Sequence, residues 1–183
     1  MTQALDGDTI VRALDRLSQI LGDRGVTGEL CLLRGTVMVL AFKARARTKD
    51  VHAIFHPPQA IREAARLVQA EMNLPEGWLN DGAKAFVSAR HETIEGDLPQ
   101  FPHLRLTAPT AEYLLAMKCM ASRIQAGPED QGDVADIAIL IRHLGLADSD
   151  QVLSVVARYS AEERIPARAR YLVEDLFARM GAG

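Results

Sequence analysis

At 183 residues, with 48% hydrophobic and 25% charged side chains, the chain is long enough for one domain burying about two-thirds of its unfolded surface. Those fractions exclude a collagen-like, disordered or disulfide-scaffold protein. A net charge of −3 gives no general attraction to nucleic acid or to an anionic membrane. No run approaches the roughly 20 apolar residues that a spanning helix needs, and MTQALDGDTI has neither a basic start nor an apolar signal core. Cys31 and Cys119 each sit in an apolar run, as buried free thiols do. A cytoplasmic protein with no membrane partner is the expectation.

The first element is a helix, Asp8 to Leu21. Ile10, Leu14, Leu17 and Leu21 share one face, Asp8 or Thr9 serves as N-cap, and Gly22 with Gly25 supplies the stop. Glu29 to Leu33 (ELCLL), bounded by Gly28 and Gly35, reads as a buried strand. Gly35 then makes a tight turn into an apolar helix, Thr36 to Ala44. Asp50 to Phe55 alternates as a strand, with Val51, Ala53 and Phe55 on one face and Asp50, His52 and Ile54 on the other.

Pro57-Pro58 ends that strand, and Gln59 to Met72 is helical, with Ile61, Ala65, Val68 and Met72 as its stripe. Pro75 and Gly77 precede WLNDGAKAF, and Ser88 to Pro102 reads as a loop or irregular hairpin. Leu104 to Ala108 is a further strand, after which Pro109 takes the first position of a helix with Glu112 in its first turn. Helices at Thr110 to Gln125, Asp130 to Leu144, Ser149 to Tyr159 and Pro166 to Met180 complete the chain. Strands early and helices late predict an α+β domain, with an α/β core over 26–108 and a helical half over 109–180 packed on it.

Three features carry chemistry. Between Glu29 and Asp50 there is no acid, while Arg34, Lys43, Arg45, Arg47 and Lys49 are all basic. Beside a glycine turn such a cluster can hold phosphate through guanidinium forks and backbone N–H groups; the alternative is a solvated basic helix end. The second feature is Asp50 and His52, two residues apart on one strand face. Paired carboxylates there would suit Mg²⁺, whereas imidazole prefers zinc or copper, and a packed or hydrogen-bonded His52 is the competing expectation. The third is Lys118, the only charge in YLLAMKCMAS. Asp133 and Asp136 share a face of the next helix, so Lys118 either pairs with one of them between packed helices or meets a ligand.

Strand, glycine turn, helix, basic run and aspartate strand, followed by a lysine helix and an aspartate helix, resemble the nucleotidyltransferase superfamily that includes polymerase beta. LLRGTVMVLAFKARARTKDVHAIF is similar to the superfamily's first motif, a Gly-Gly or Gly-Ser turn, a helix, then Arg-x-Thr-x-Asp-x-Asp. The closer resemblance is to small bacterial nucleotidyltransferase-like proteins that share WLND followed by Lys, matched by Trp78, Leu79, Asn80, Asp81 and Lys84. They also share a helix close to EYLLAMKxxAxR, matched by Glu112 to Arg123, and an acidic helix, matched by Asp133 to Leu140. Abortive-infection nucleotidyltransferase toxins carry related motifs. The resemblance spans Val26 to Phe177.

It implies Mg²⁺ (or Mn²⁺) on Asp50 and His52. Gly35, Thr36, Arg47, Lys49, Asn80 and Lys84 would line a nucleoside triphosphate site, with Lys118 on phosphate and Asp136, or Asp133, as a site carboxylate. The departures are equally specific. Arg34 stands at the first turn glycine, Thr36 at the usual small residue, Ala46 at the motif arginine and His52 at the second metal carboxylate. Arg105 and Thr107 occupy the strand where many transferring members carry a third carboxylate. Two-metal transfer uses shared carboxylates to hold both ions, and losing a bridging one costs a rate factor of order a thousandfold. Two functions therefore follow from the resemblance. One is Mg²⁺-dependent transfer of a nucleotidyl group to a hydroxyl on nucleic acid, protein or a small molecule. The other is a degenerate nucleotide-binding or partner-binding protein, such as a toxin–antitoxin component. A structural interaction protein is the third expectation.

Overall fold

The computed structural model describes residues 4–82, 92–122 and 130–181. The fold is α+β, and the chain divides into two compact units, 1–85 with 93–109 and 86–92 with 110–183.

The first unit begins with β1 (Leu5–Asp6) and α1 (Gly7–Asp23). The cap of α1 is Asp6, not Asp8 or Thr9: its carboxylate accepts from the Thr9 N–H at 2.8 Å, so the helix starts earlier than its apolar stripe. Ile10, Leu14, Leu17 and Leu21 are fully buried, as their spacing predicts. Gly22 does not stop the helix. The His103 ring lies where its side chain would be, with a Cβ placed 2.3 Å from His103 Cδ2, and the left-handed turn falls at Gly25, φ 66°.

β2 (Gly28–Leu33), α2 (Gly35–Leu40), β3 (Arg47–Thr48), β4 (Val51–His56), α3 (Pro58–Met72), β5 (Leu79–Asn80), β6 (Thr93–Ile94) and β7 (Leu104–Pro109) follow. β1 and β3 form a two-stranded ribbon, and the others a mixed sheet of order β5-β4-β2-β7-β6. β2 is antiparallel to β4 and parallel to β7; β5 runs parallel to β4, and β6 antiparallel to β7. Leu30, Leu32, Val51, Ala53, Leu104, Leu106 and Ala108 bury one sheet face. Leu21 of α1 and Ile61 of α3 close over Gly28 on that face, where a Cβ would lie 2.9 Å from Leu21 Cδ1.

Residues 93–94, in the stretch expected as a loop or irregular hairpin, pair antiparallel with Pro109 and Ala108. Two boundaries differ from expectation. α2 is six residues long rather than reaching Ala44. Pro109 itself closes β7 instead of opening a helix, because Thr110 caps α4 by accepting from the Tyr113 N–H.

The second unit holds α4 (Ala111–Ala121), α5 (Asp130–His143), α6 (Ser149–Tyr159), a 3₁₀ turn (Glu162–Arg164) and α7 (Ala167–Gly181). α4 packs on α5 and α6, and α6 on α7. Tyr113 and Tyr159 meet with ring centroids 5.0 Å apart, and the Tyr159 hydroxyl donates to Glu92 at 2.8 Å. Among the described residues no helix is long and apolar enough to cross a membrane.

Candidate functional site

Asp50 lies at the corner where the ribbon strand β3 hands over to β4. Its backbone carbonyl accepts from two hydroxyls, Thr36 Oγ1 at 3.3 Å and Thr48 Oγ1 at 3.2 Å. Its carboxylate is held on both oxygens. His52 Nε2 lies 3.2 Å from Oδ1, and Asn80 Nδ2 donates to Oδ2 at 3.0 Å. The i, i+2 spacing puts His52 on the Asp50 side of the strand, and the parallel register sets Asn80 beside His52. His52 Nδ1 is buried without a hydrogen-bond partner, so the imidazole proton is assigned to Nε2, the nitrogen that has an acceptor.

The WLND stretch builds this arrangement. Trp78 is buried and donates from Nε1 to the Ala65 carbonyl at 3.0 Å, while its own carbonyl accepts from the Val51 N–H. That anchor fixes Leu79–Asn80 as the edge strand next to β4. Asp81 then bridges to Arg62 at 2.7 Å. Lys84 lies outside the described residues.

Burial pushes the Asp50 carboxyl up, but the hydrogen bonds from His52 and the Asn80 amide and the Arg34 charge outweigh it and hold it below its ordinary value. A folded pKa below the unfolded one stabilises the protein above about pH 4 and is lost as pH falls through the folded value. Asp50→Asn should therefore flatten the acid limb of the stability profile below pH 4. Denaturant unfolding between pH 2.5 and 6 checks this; an unchanged slope would mean that the carboxylate has no favourable contacts to lose.

The turn into α2 is strained at one residue. Arg34 has φ 55° and ψ −134°, a conformation natural to glycine, and holding it costs on the order of 1–3 kcal/mol. Gly35 has no room for a side chain: a Cβ there would lie 2.8 Å from Thr48 Oγ1 and 3.5 Å from Arg45 Nη1. Arg34, Gly35, Arg45, Thr48 and Asp50 are thus neighbours. Thr36 is fully buried, its hydroxyl turned to the Asp50 carbonyl rather than outward. Arg47 and Lys49 are exposed, Arg47 standing opposite Asp6 in the ribbon.

The second unit carries the other cluster. Lys118 is 6% exposed, and its ammonium lies 2.8 Å from Asp133 Oδ1 and 2.7 Å from Asp136 Oδ2. Asp136 is fully buried, while Asp133 is half-exposed. Of the two expectations for Lys118, an interhelical ion pair or a ligand contact, these distances are those of the ion pair, made with both aspartates at once. Neither thiol is a ready nucleophile: burial raises Cys31, and pushes Cys119 up to about 12 against the nearby Lys118 charge.

The donor set around Asp50 does not fit a Mg²⁺ or Mn²⁺ centre. A hard dication needs several oxygen ligands, and a two-metal site needs shared carboxylates. Here, among the described residues, Asp50 is the one carboxylate that these contacts bring together, N–H donors engage both of its oxygens, and the lone pair of His52 is buried on Nδ1. Among the described residues no group of three or more His, Cys, Asp or Glu side chains is arranged to hold a metal. The imidazole N–H occupies the place beside Asp50 that a cation would need.

No protein-family model, curated protein or solved structure matches the chain.

Of the residues the sequence singled out, Asp50, His52 and Asn80 meet, and Gly35 lies against Thr48, whose hydroxyl donates to the Asp50 carbonyl. The sequence did not single out Thr48, whose hydroxyl holds the Asp50 backbone, nor the Tyr159–Glu92 bond. Thr48 sits two residues before Asp50 in the basic run, a spacing at which a hydroxyl reaches a nearby backbone carbonyl, and that is the signal that would have found it.

Proposed function

We propose that this chain is a nucleotidyltransferase-like protein that binds a nucleoside triphosphate without metal and does not transfer the nucleotide. The observation that carries the reading is the Asp50 carboxylate, engaged on both oxygens by His52 and Asn80 with the Arg34 charge beside it. A carboxylate so engaged is a poor bridge for two dications, so the hydroxyl of an acceptor is not activated there. The basic run from Arg34 to Lys49 supports anion binding by another route, since guanidinium forks match phosphate oxygens without any ion between them. Lys118 belongs to the interior of its own unit in this reading, its charge matched by two aspartates.

Incubation with each labelled triphosphate in Mg²⁺ or Mn²⁺, with Asp50→Ala in parallel, tests the absence of transfer. No label should move. Transfer that Asp50→Ala abolishes would restore the enzyme reading. Thermal denaturation in EDTA tests binding: a triphosphate at 100 times its dissociation constant adds about 2.7 kcal/mol of stability. No shift with any triphosphate removes the binding claim.

A further inference from the structure

We propose that a small cavity on the open face of the five-stranded sheet is a second binding site, for a primary amine cation carried on a short apolar stem, independent of any nucleotide at Asp50.

Strand register builds the site. Glu29 of β2 stands between His56 of β4 and Arg105 of β7, and Cys31, two residues on, stands between Ile54 and Thr107. The intervening Leu30, Phe55 and Leu106 are buried on the face that meets α1 and α3, so alternation turns these six side chains the other way. They line a cavity of about 170 Å³, and all six belong to the first unit. One water needs about 10–15 Å³, which leaves room for a ligand of several non-hydrogen atoms. Cys31, Ile54 and Thr107 are half-buried and make the floor, while Glu29, His56 and Arg105 are exposed and make the rim. His56 ends β4 and Asp50 precedes it, so the cavity and Asp50 lie at opposite ends of the strand, on the order of 20 Å apart.

The charges at the rim are unequal. Arg105 donates to Glu95 from Nε and from Nη2, both at 2.6 Å. Glu29 Oε1 lies 3.9 Å from Arg105 Nη1, beyond hydrogen-bond distance. Two acids thus share one guanidinium, and Glu29 is the one left without a hydrogen bond among the described residues. A compact ammonium completes such a rim, because it brings a full charge and three donors to the Glu29 carboxylate. Its stem then lies over Cys31 and Ile54, as a lysine stem covers apolar surface below its own head group. A carboxylate ligand meets the opposite situation, with Glu29 repelling it and Glu95 already holding the guanidinium.

Three probes of matched length separate charge from apolar contact: n-pentylamine, pentanoate and pentanol, each titrated at neutral pH into ¹⁵N-labelled wild type, Glu29→Gln and Arg105→Gln. Both variants change exposed side chains. In the wild type the amine should shift the Cys31, Ile54 and Thr107 amide signals saturably, and should bind at least about 5-fold more tightly than pentanol, with pentanoate weakest. Glu29→Gln should weaken the amine roughly 3–10-fold and leave pentanol unchanged. Arg105→Gln removes the competing cation and should tighten the amine by a similar factor, a gain that a merely structural role for Arg105 would not give. Pentanoate binding as tightly as the amine would make Arg105 the recognising group and overturn the proposal. Glu29→Gln binding the amine like the wild type, or Arg105→Gln binding it no more tightly, overturns it too. So does the absence of saturable shifts at Cys31, Ile54 and Thr107.

Discussion

Lys118→Met should destabilise the protein by about 3–5 kcal/mol, the largest loss expected from any single charge removal described here. The reason is the neighbour that remains. Asp136 has no exposed surface, and Lys118 Nζ lies 2.7 Å from it as a compensating cation. Removing that ammonium leaves a carboxylate in an interior built by Leu114, Leu115, Ile137 and Leu140, all fully or almost fully buried. Asp133, half-exposed, can turn to water, so Asp133→Asn should cost less than about 1 kcal/mol. The double replacement Lys118→Met with Asp136→Leu removes both charges together and should recover most of the loss, since apolar residues of similar size often replace a buried pair without penalty. Urea unfolding of the four proteins measures all of this. Lys118→Met within 1 kcal/mol of the wild type would mean that Asp136 does not depend on the Lys118 ammonium.

His52→Asp should make the protein respond to divalent metal ions. The exchange removes the N–H donor to Asp50 Oδ1 and sets a second carboxylate where the imidazole lay 3.2 Å away. In EDTA the two like charges face each other without the hydrogen bond, and stability should fall by about 1.5–3 kcal/mol. With Mn²⁺ or Mg²⁺ the pair becomes a chelate, and an ion at 100 times its dissociation constant returns about 2.7 kcal/mol. The wild type should melt at the same temperature with or without the ions. A variant that ignores both ions would show that this strand face cannot be made into a metal site by charge alone, and that the imidazole is not what excludes the cation.

The elements with a period were legible. The stripe of α1, the alternation of β4 and the apolar run of β2 each follow from residue spacing, and each is buried as that spacing requires. The same reasoning placed Asp50 and His52 on one strand face and set Lys118 against the aspartates of α5. Two-residue strands have no period. β1, β3 and β5 exist because a partner elsewhere in the chain pairs with them, and β5 draws its register from Val51 and His52 across about thirty residues. The helix boundaries missed share a physical cause as well. Asp6 outcompetes Asp8 as a cap through one bond to Thr9, Thr110 displaces Pro109 through one bond to Tyr113, and Gly22 stays in the helix with the ring of His103 lying where a side chain would be. The motif letters were legible as a pattern, but their roles were not. Asn80, expected at a ligand, spends its amide on Asp50, and Thr36 turns its hydroxyl inward.

We propose that the N–H donors of His52 and Asn80, in place of a metal ion, satisfy the Asp50 carboxylate. Titration of ¹⁵N-labelled protein with micromolar Mn²⁺ tests it at the residue itself, because a paramagnetic ion bound to Asp50 must broaden the resonances of its neighbours first. The Asp50, His52 and Asn80 signals should keep their line widths. Selective loss of those three signals at low Mn²⁺, reversed by EDTA, would contradict it.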